Sequence, residues 1–362
     1  MKKILLFIDS LGAGGAQRQL IGLASMLKDN GYSVKVATYY NHSFYKYILD
    51  EKKIDYECFN VNSRLSWINL IRCVSNFKAN VLISYQTNPN SIACVVAAIC
   101  RIPLIVSERN THQYLSLKDK IIFNLYRFAD FVVSNSYSET AYINARFPFL
   151  RNKTYTIPNF VDLNRFSPSA KYRNDEKIIL IVASVKASKN TKSFIWAYYQ
   201  AYLQGCNVKV LWYGVNRKED DLIENVIYVE ECKQMINDLG IEAKFQLLPK
   251  RQDIQNVYHE ADVFCLPSYF EGTPNALCEA MASGLPIIAS NVCDNPRFVK
   301  PAENGWLFDP NDINDMVATI IKISQASYIT LSRFGENSRR FVEAMCAEED
   351  FVKKYIQLIE SL

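Results

Sequence analysis

Lys3–Asp9 is an apolar run closed by a glycine-rich turn, Leu11-Gly12-Ala13-Gly14-Gly15, and it reads as a buried strand. Gln19, Leu20, Leu23, Ala24 and Leu27 then recur at helical spacing until Gly31 stops them. Val34–Thr38 is a second strand, so the chain opens strand–loop–helix–strand, the start of a parallel doubly wound sheet. Val81–Ser84, Leu104–Ser107 and Phe131–Ser134 fit further strands, with helical segments between them.

A second series begins after the Pro-, Asn- and Ser-rich stretch Ile157 to Asp175. Lys177–Ser184, Val208–Tyr213, Phe245–Leu248, Asp262–Pro267 and Pro286–Ala289 read as strands. Helices fit between them at Thr191–Leu203, Glu230–Leu239, Ile254–His259 and Ala276–Ser283. With 362 residues, the chain holds two consecutive α/β domains joined by a linker near 160–175. The last stretch, Gly335–Leu362, is helical and partly amphipathic and can cap either domain.

Composition narrows the class. Apolar residues make up 49% and charged residues 22%, which excludes a disordered or fibrous chain. Tyr (22) and Phe (20) are numerous enough to place aromatic surface somewhere. The 10 cysteines form no CxxC pair and no cluster with the 3 histidines, so they read as buried reduced thiols. After Met1-Lys2-Lys3 the apolar run Ile4–Ile8 is too short for a signal peptide, and Ile92–Ile99 is too short for a membrane span. The expected location is therefore cytoplasmic. Charge is uneven: residues 1–165 carry 20 Lys+Arg against 11 Asp+Glu, or +9, and residues 166–362 carry 21 against 26, or −5. A basic half facing an anionic partner follows, with no nucleic acid expected.

Two stretches carry candidate chemistry. Gly12-Ala13-Gly14-Gly15-Ala16 lies between the first strand and the first helix, where backbone N–H groups can meet a phosphate. It lacks the Gly-Lys-Ser/Thr of a Walker loop, and it is equally explained as a tight turn. The second stretch runs from Ser268 to Pro286, out of a strand and into a helix. Pro274 suits the first helical turn and Gly284 the stop. Glu271 then lies at the carboxyl end of a strand, where open α/β sheets bind ligands, and Glu279 lies on the helix. Such a pair can bracket a sugar nucleotide: Glu271 accepts from sugar hydroxyls, Glu279 takes the ribose hydroxyls, and the amides between serve the diphosphate.

Glu271 and Glu279, with Ser268, Gly272, Pro274, Asn275, Leu277 and Ala280-Met281-Ala282 around them, resemble the carboxylate pair of the retaining family 4 glycosyltransferases. Gly14-Gly15-Ala16-Gln17-Arg18, Ile157-Pro158-Asn159-Phe160-Val161-Asp162 and Asn304-Gly305-Trp306-Leu307-Phe308 resemble other stretches of that family, in order, from residue 4 to about 310. The resemblance implies a GT-B fold, α/β with two Rossmann-like domains facing across a cleft. It implies an acceptor domain over 1–165, a nucleotide-sugar donor domain over 166–335, and a helix in 336–362 that crosses back to the first. It also implies a UDP- or GDP-linked donor, a glycan or polyprenyl-linked acceptor, no cofactor and no divalent metal.

Carried onto this chain, the catalytic set is Glu271, Lys189 and His112. The donor set is Gly14, Gly15, Ser184, Lys186, Gly272, Thr273, Pro274, Asn275, Ala276, Leu277 and Glu279, and the acceptor side is Arg18, Glu108, Arg109 and Asn110. One departure stands out: Ser184 occupies the place of an Arg that the family sets on the diphosphate, five residues before Lys189. Lys186 or Arg18 then supplies the charge, or the leaving group is less stabilised. Two alternatives share the architecture, a sugar-nucleotide epimerase and a non-catalytic glycosyltransferase-like subunit. Two basic, aromatic segments, Arg64–Arg72 and Tyr114–Phe128, fit amphipathic helices that would lie on an anionic membrane surface.

Overall fold

The computed structural model describes residues 1–62, 65–109, 111–112, 114–169, 176–216, 222–251 and 253–362. The chain forms two compact units, one from Met1–Phe160 with Glu348–Leu362, the other from Val161–Ala347.

The first unit holds β1 (Lys3–Ile8), β2 (Ser33–Thr38), β3 (Asp55–Cys58), β4 (Val81–Tyr85), β5 (Leu104–Glu108), β6 (Phe131–Ser134) and β7 (Thr154–Thr156). They pair parallel in the order β3-β2-β1-β4-β5-β6-β7. The second holds β8 (Lys177–Val182), β9 (Val208–Val215), β10 (Phe245–Pro249), β11 (Val263–Leu266), β12 (Ile287–Ser290) and β13 (Gly305–Phe308), parallel in the order β10-β9-β8-β11-β12-β13. The direction of winding reverses between β1 and β4 in one sheet and between β8 and β11 in the other. Open α/β sheets take their ligands at these two switch points.

Helices on both faces explain the unbroken apolar runs of the central strands. Ile4, Leu6 and Ile8 pack with Leu20, Leu23 and Leu27 of the helix Gly15–Asp29, and with Tyr355 and Ile359. Leu5 and Phe7 face the other way, against Leu70, Cys94 and Phe123. In the second unit Ile179 and Ile181 face one core and Leu180 the other.

Three strands lie outside the sequence reading: β3, β7 and β13. β3 and β7 are edge strands of mixed polarity and partial exposure, Asp-Tyr-Glu-Cys and Thr-Tyr-Thr. β13 opens on Gly305, which reads as a turn; a Cβ there would stand 1.7 Å from the Ile287 carbonyl oxygen, so glycine is what lets the strands approach.

By its contacts the first unit closes at Phe160, which packs on Phe351 and over Gly22, whose added Cβ would meet its ring at 2.1 Å. Val161 and Phe166 belong to the second core. The final helical stretch divides at Ala347. Tyr328–Cys346 stays with the second unit, where Val342 and Cys346 are core residues, and Glu348–Glu360 packs Phe351 and Tyr355 into the first. All ten cysteines are free. No helix among the described residues is long and apolar enough to cross a membrane.

Candidate functional site

At the second unit's switch point, two loops leave the carboxyl ends of β8 and β11. The first turns at Asn190, a non-glycine residue with φ 58°, held by its side-chain N–H on the Pro310 carbonyl at 2.9 Å. That turn starts the helix Thr191–Leu203 and presents Lys189. The second loop presents Glu271 ahead of the helix Asn275–Ala282. Lys189 Nζ donates to Glu271 Oε1 at 2.5 Å, and Ser268 Oγ donates to the same oxygen at 2.6 Å. Tyr269 ties the loops together, its N–H on the Ser188 carbonyl at 3.1 Å and its hydroxyl 3.2 Å from Ser193 Oγ. The lysine and the glutamate remain 25% and 12% exposed, so an ion pair that water screens only partly is open to a ligand.

Glu279 is buried and accepts from the Tyr258 hydroxyl at 2.8 Å. Gly272, Asn275 and Ala276 are partly exposed around the helix start, whereas Thr273 and Pro274 are buried. The Leu277 side chain is fully buried in the core with Cys278 and Ala280, so it offers a donor only its backbone. Ser184 and Lys186 are half-buried, and Lys186 makes no ion pair among the described residues.

The first unit gathers a different set. Gly14 precedes the helix Gly15–Asp29. A Cβ on Gly14 would lie 2.1 Å from Gln17 Oε1, so the glycine makes room for a side chain that reaches back to β1. Arg18 is half-buried and donates its backbone N–H to the Gly14 carbonyl at 3.1 Å. His112 is bound twice by Glu139: its N–H donates to Oε2 at 3.0 Å, and Nδ1 lies 2.7 Å from Oε1. Burial of His112 pulls its pKa down, but its hydrogen bond to Glu139 and the charges of Glu108, Glu139 and Asp119 outweigh it, and the net shift is upward.

Glu108 is corrected, and Arg109 is engaged within the first unit. A charged pair at a strand's end reads as a rim, yet Glu108 is wholly buried and accepts from Thr87 Oγ1 (2.9 Å), Asn90 Nδ2 (3.1 Å) and the Tyr126 hydroxyl. Burial raises its pKa against those donors. Arg109 donates to Asn159 Oδ1 at 2.8 Å and the Tyr355 hydroxyl at 2.7 Å, and lies 4.1 Å over the Tyr85 ring. It clasps the returning helix Glu348–Glu360 to the first unit. Asn110 lies outside the described residues.

The sequence reading missed Tyr258 and Glu139. Glu139 had a signal: Ser136-x-x-Glu139 matches a helix-capping pair, and Ser136 Oγ does accept from the Glu139 N–H at 3.1 Å. The Glu139 carboxylate goes to His112 instead of back to the cap. No group of three His, Cys, Asp or Glu comes together to hold a metal among the described residues.

Two parallel doubly wound units, with cation and carboxylate at the switch point of the second, define the GT-B class of nucleotide-sugar enzymes. The model of the family "Glycosyl transferases group 1" matches residues 164–341, and that of "Glycosyltransferase Family 4" matches residues 13–165. The chain belongs to this family of glycosyltransferases, which transfer sugar from nucleotide sugars. It is similar to the Escherichia coli UDP-Gal:alpha-D-GlcNAc-diphosphoundecaprenol alpha-1,3-galactosyltransferase, 24% identical over 74% of this chain and 72% of that protein. It is also similar to the Campylobacter jejuni GalNAc-alpha-(1->4)-GalNAc-alpha-(1->3)-diNAcBac-PP-undecaprenol alpha-1,4-N-acetyl-D-galactosaminyltransferase, 28% identical over 86% of each chain. Among solved structures, Anabaena Alr3699/HepE in complex with UDP-glucose superposes with a TM-score of 0.86 at 19% identity, covering 100% of both chains.

Proposed function

We propose that the protein is a retaining, metal-independent hexosyltransferase of cell-envelope polysaccharide or oligosaccharide assembly. It moves a sugar from a UDP- or GDP-linked donor to a hydroxyl of a glycan or polyprenyl-linked acceptor. The observation that carries this is the 2.5 Å contact of Lys189 with Glu271. Sugar transfer builds positive charge at the anomeric carbon and negative charge on the departing phosphate. Lys189, with the N–H groups that open the helix Asn275–Ala282, meets that negative charge in place of a divalent cation. Glu271, tied to Lys189 and Ser268, orients the donor sugar and is not a nucleophile. Glu279, oriented by Tyr258, takes the ribose hydroxyls. His112, oriented by Glu139, contacts a sugar from the first unit. In the retaining step the acceptor oxygen bonds to the anomeric carbon on the face from which the phosphate leaves. The departing phosphate oxygen takes the acceptor's proton, so no covalent enzyme adduct is needed.

The reading includes the inner face of an anionic membrane as the place of work. Three neighbouring helices cover one face of the first sheet: Ser66–Phe77, Thr87–Cys100 and Leu117–Leu125. Leu70, Ala93 and Phe123 point into the core, while Trp67, Ile68, Val95, Ile99, Leu117 and Ile121 are exposed. Arg72, Arg101, Lys118, Lys120 and Arg127 accompany them, and each adds about 1 kcal/mol near an anionic surface. Arg64 lies outside the described residues.

The test incubates the protein, with and without EDTA, with UDP- and GDP-hexoses and an α-GlcNAc-diphosphoryl lipid acceptor in anionic vesicles. An α-linked product unaffected by EDTA is expected. An inverted linkage, a metal requirement, or an epimerised donor with no transfer would each overturn the corresponding part.

A further inference from the structure

The switch point of the first sheet carries a carboxylate that the reaction described above does not use. Asp9 follows β1 and stands beside Gln86, which follows β4. Its Oδ1 accepts from the Ser10 N–H at 2.6 Å, from Ser10 Oγ at 3.3 Å and from Gln17 Nε2 at 2.9 Å. With its amide turned so that both ends are satisfied, Gln86 donates to Asp9 Oδ1 and Oδ2 at 3.1 Å and accepts from Gln17 Nε2 at 3.2 Å. Among the described residues Oδ2 therefore takes one donor, where Oδ1 takes four. Burial lifts the Asp9 pKa, against the hydrogen bonds from Gln17 and Ser10.

Two further features single this place out. Gln86 sits at φ 76°, ψ 150°, a backbone conformation that is nearly confined to glycine and that collects at functional sites. The segment after β2 is stitched to the same strand end. Tyr39 and Tyr40 donate their N–H groups to the Asp9 carbonyl at 3.2 and 2.9 Å, and the Tyr45 N–H donates to the Leu11 carbonyl at 3.1 Å. That segment leaves the rings of Tyr40 and Phe44 exposed. A carboxylate hydrogen-bonded by amides and a hydroxyl, with His42 electrostatically near it, on a strand end stitched to a segment that carries exposed aromatic rings, suits a polyol. O–H groups donate to the carboxylate, and the C–H face of the ring lies on the aromatics.

We infer that Asp9, positioned by Gln17 and Gln86, binds hydroxyl groups of the acceptor sugar at the carboxyl end of β1. This rests on the glycosyltransferase reading for the word acceptor, but the site stands or falls on sugar binding alone.

The experiment titrates the full chain, by NMR, with methyl α-glycosides of glucose, galactose, GlcNAc and GalNAc, and separately with UDP and GDP. The side-chain amide resonances of Gln17 and Gln86 should shift saturably with at least one glycoside. Asp9→Asn should weaken that affinity by roughly 10- to 100-fold, the effect of losing a charged acceptor, and leave nucleotide affinity unchanged. Gln86→Gly removes the backbone strain, so its Tm should equal or exceed that of the wild type while glycoside affinity falls. A silent panel, or Gln86→Gly with unchanged glycoside affinity, would overturn the inference. Absence of UDP and GDP binding to the wild type would instead strike at the donor reading, with the glycoside shifts still deciding the Asp9 site.

Discussion

At the switch point of the second sheet a lysine and a glutamate meet at 2.5 Å, while at that of the first a lone carboxylate is surrounded by amides. The two sheets share a winding order, so topology supplies each with a ligand-facing edge and the loop residues decide what the edge takes. A cation that can leave its glutamate for a diphosphate suits an anionic leaving group. A carboxylate fixed by neutral donors suits hydroxyls. The first unit holds 21 Lys+Arg against 14 Asp+Glu and the second 20 against 23, and Lys189, the lysine proposed to meet the diphosphate, lies in the second.

The contrast breaks most sharply at Lys189. Lys189→Ala should lower kcat about 100- to 1000-fold, the effect of losing one donor worth roughly 2.7–4 kcal/mol in the transition state. A loss under about tenfold in steady-state kinetics would contradict the electrostatic role. Glu271→Ala should also act mainly on kcat. Glu279→Ala should raise the donor KM by roughly 10- to 100-fold with kcat nearly kept, because ribose bonds exist in ground and transition states alike. Tyr258→Phe, which removes only the hydroxyl that donates to Glu279, should give the same pattern at roughly 2- to 10-fold.

Arg109 sharpens the comparison from the other side. Arg109→Ala breaks two hydrogen bonds from a charged donor, each worth about 1.5–3 kcal/mol, and a ring contact. It should lower the Tm and loosen protection of the helix Glu348–Glu360 in hydrogen exchange, with acceptor KM unaltered. A changed KM at wild-type stability would return Arg109 to the acceptor site.

The smallest effect concerns pH. His112 has a folded pKa raised above its ordinary value of about 6.5 by Glu139 and nearby carboxylates, despite burial. A raised histidine stabilises fully below the unfolded pKa and loses that contribution as pH rises through the folded one. The stability gap between wild type and Glu139→Gln, from urea melts, should therefore be wider near pH 6 than near pH 9. An equal gap at both would separate His112 from Glu139.

The buried strands and the loop and helix positions of Glu271 and Glu279 in the second unit were legible because both are local. β8 is one apolar run, and Glu271 and Glu279 lie within one strand–loop–helix. What was not legible depends on partners distant in sequence. Glu108 looks like a rim residue until Thr87, Asn90 and Tyr126 close over it. Glu139 looks like a helix cap until His112 arrives. β3 and β7 escaped because a short, half-exposed edge strand has no buried face to imprint a pattern. The Lys189–Glu271 contact joins side chains 82 residues apart, and neither motif alone specifies it.

Calorimetric titration of UDP and GDP into the full chain and into Lys189→Ala tests the central claim most directly. The account predicts that at least one nucleotide binds the wild type and that Lys189→Ala weakens it by roughly tenfold or more, the loss of one charge-assisted contact to the diphosphate. Equal affinity in the two proteins would contradict the placement of the diphosphate on Lys189, and with it the assignment of the β8/β11 switch point as the donor site.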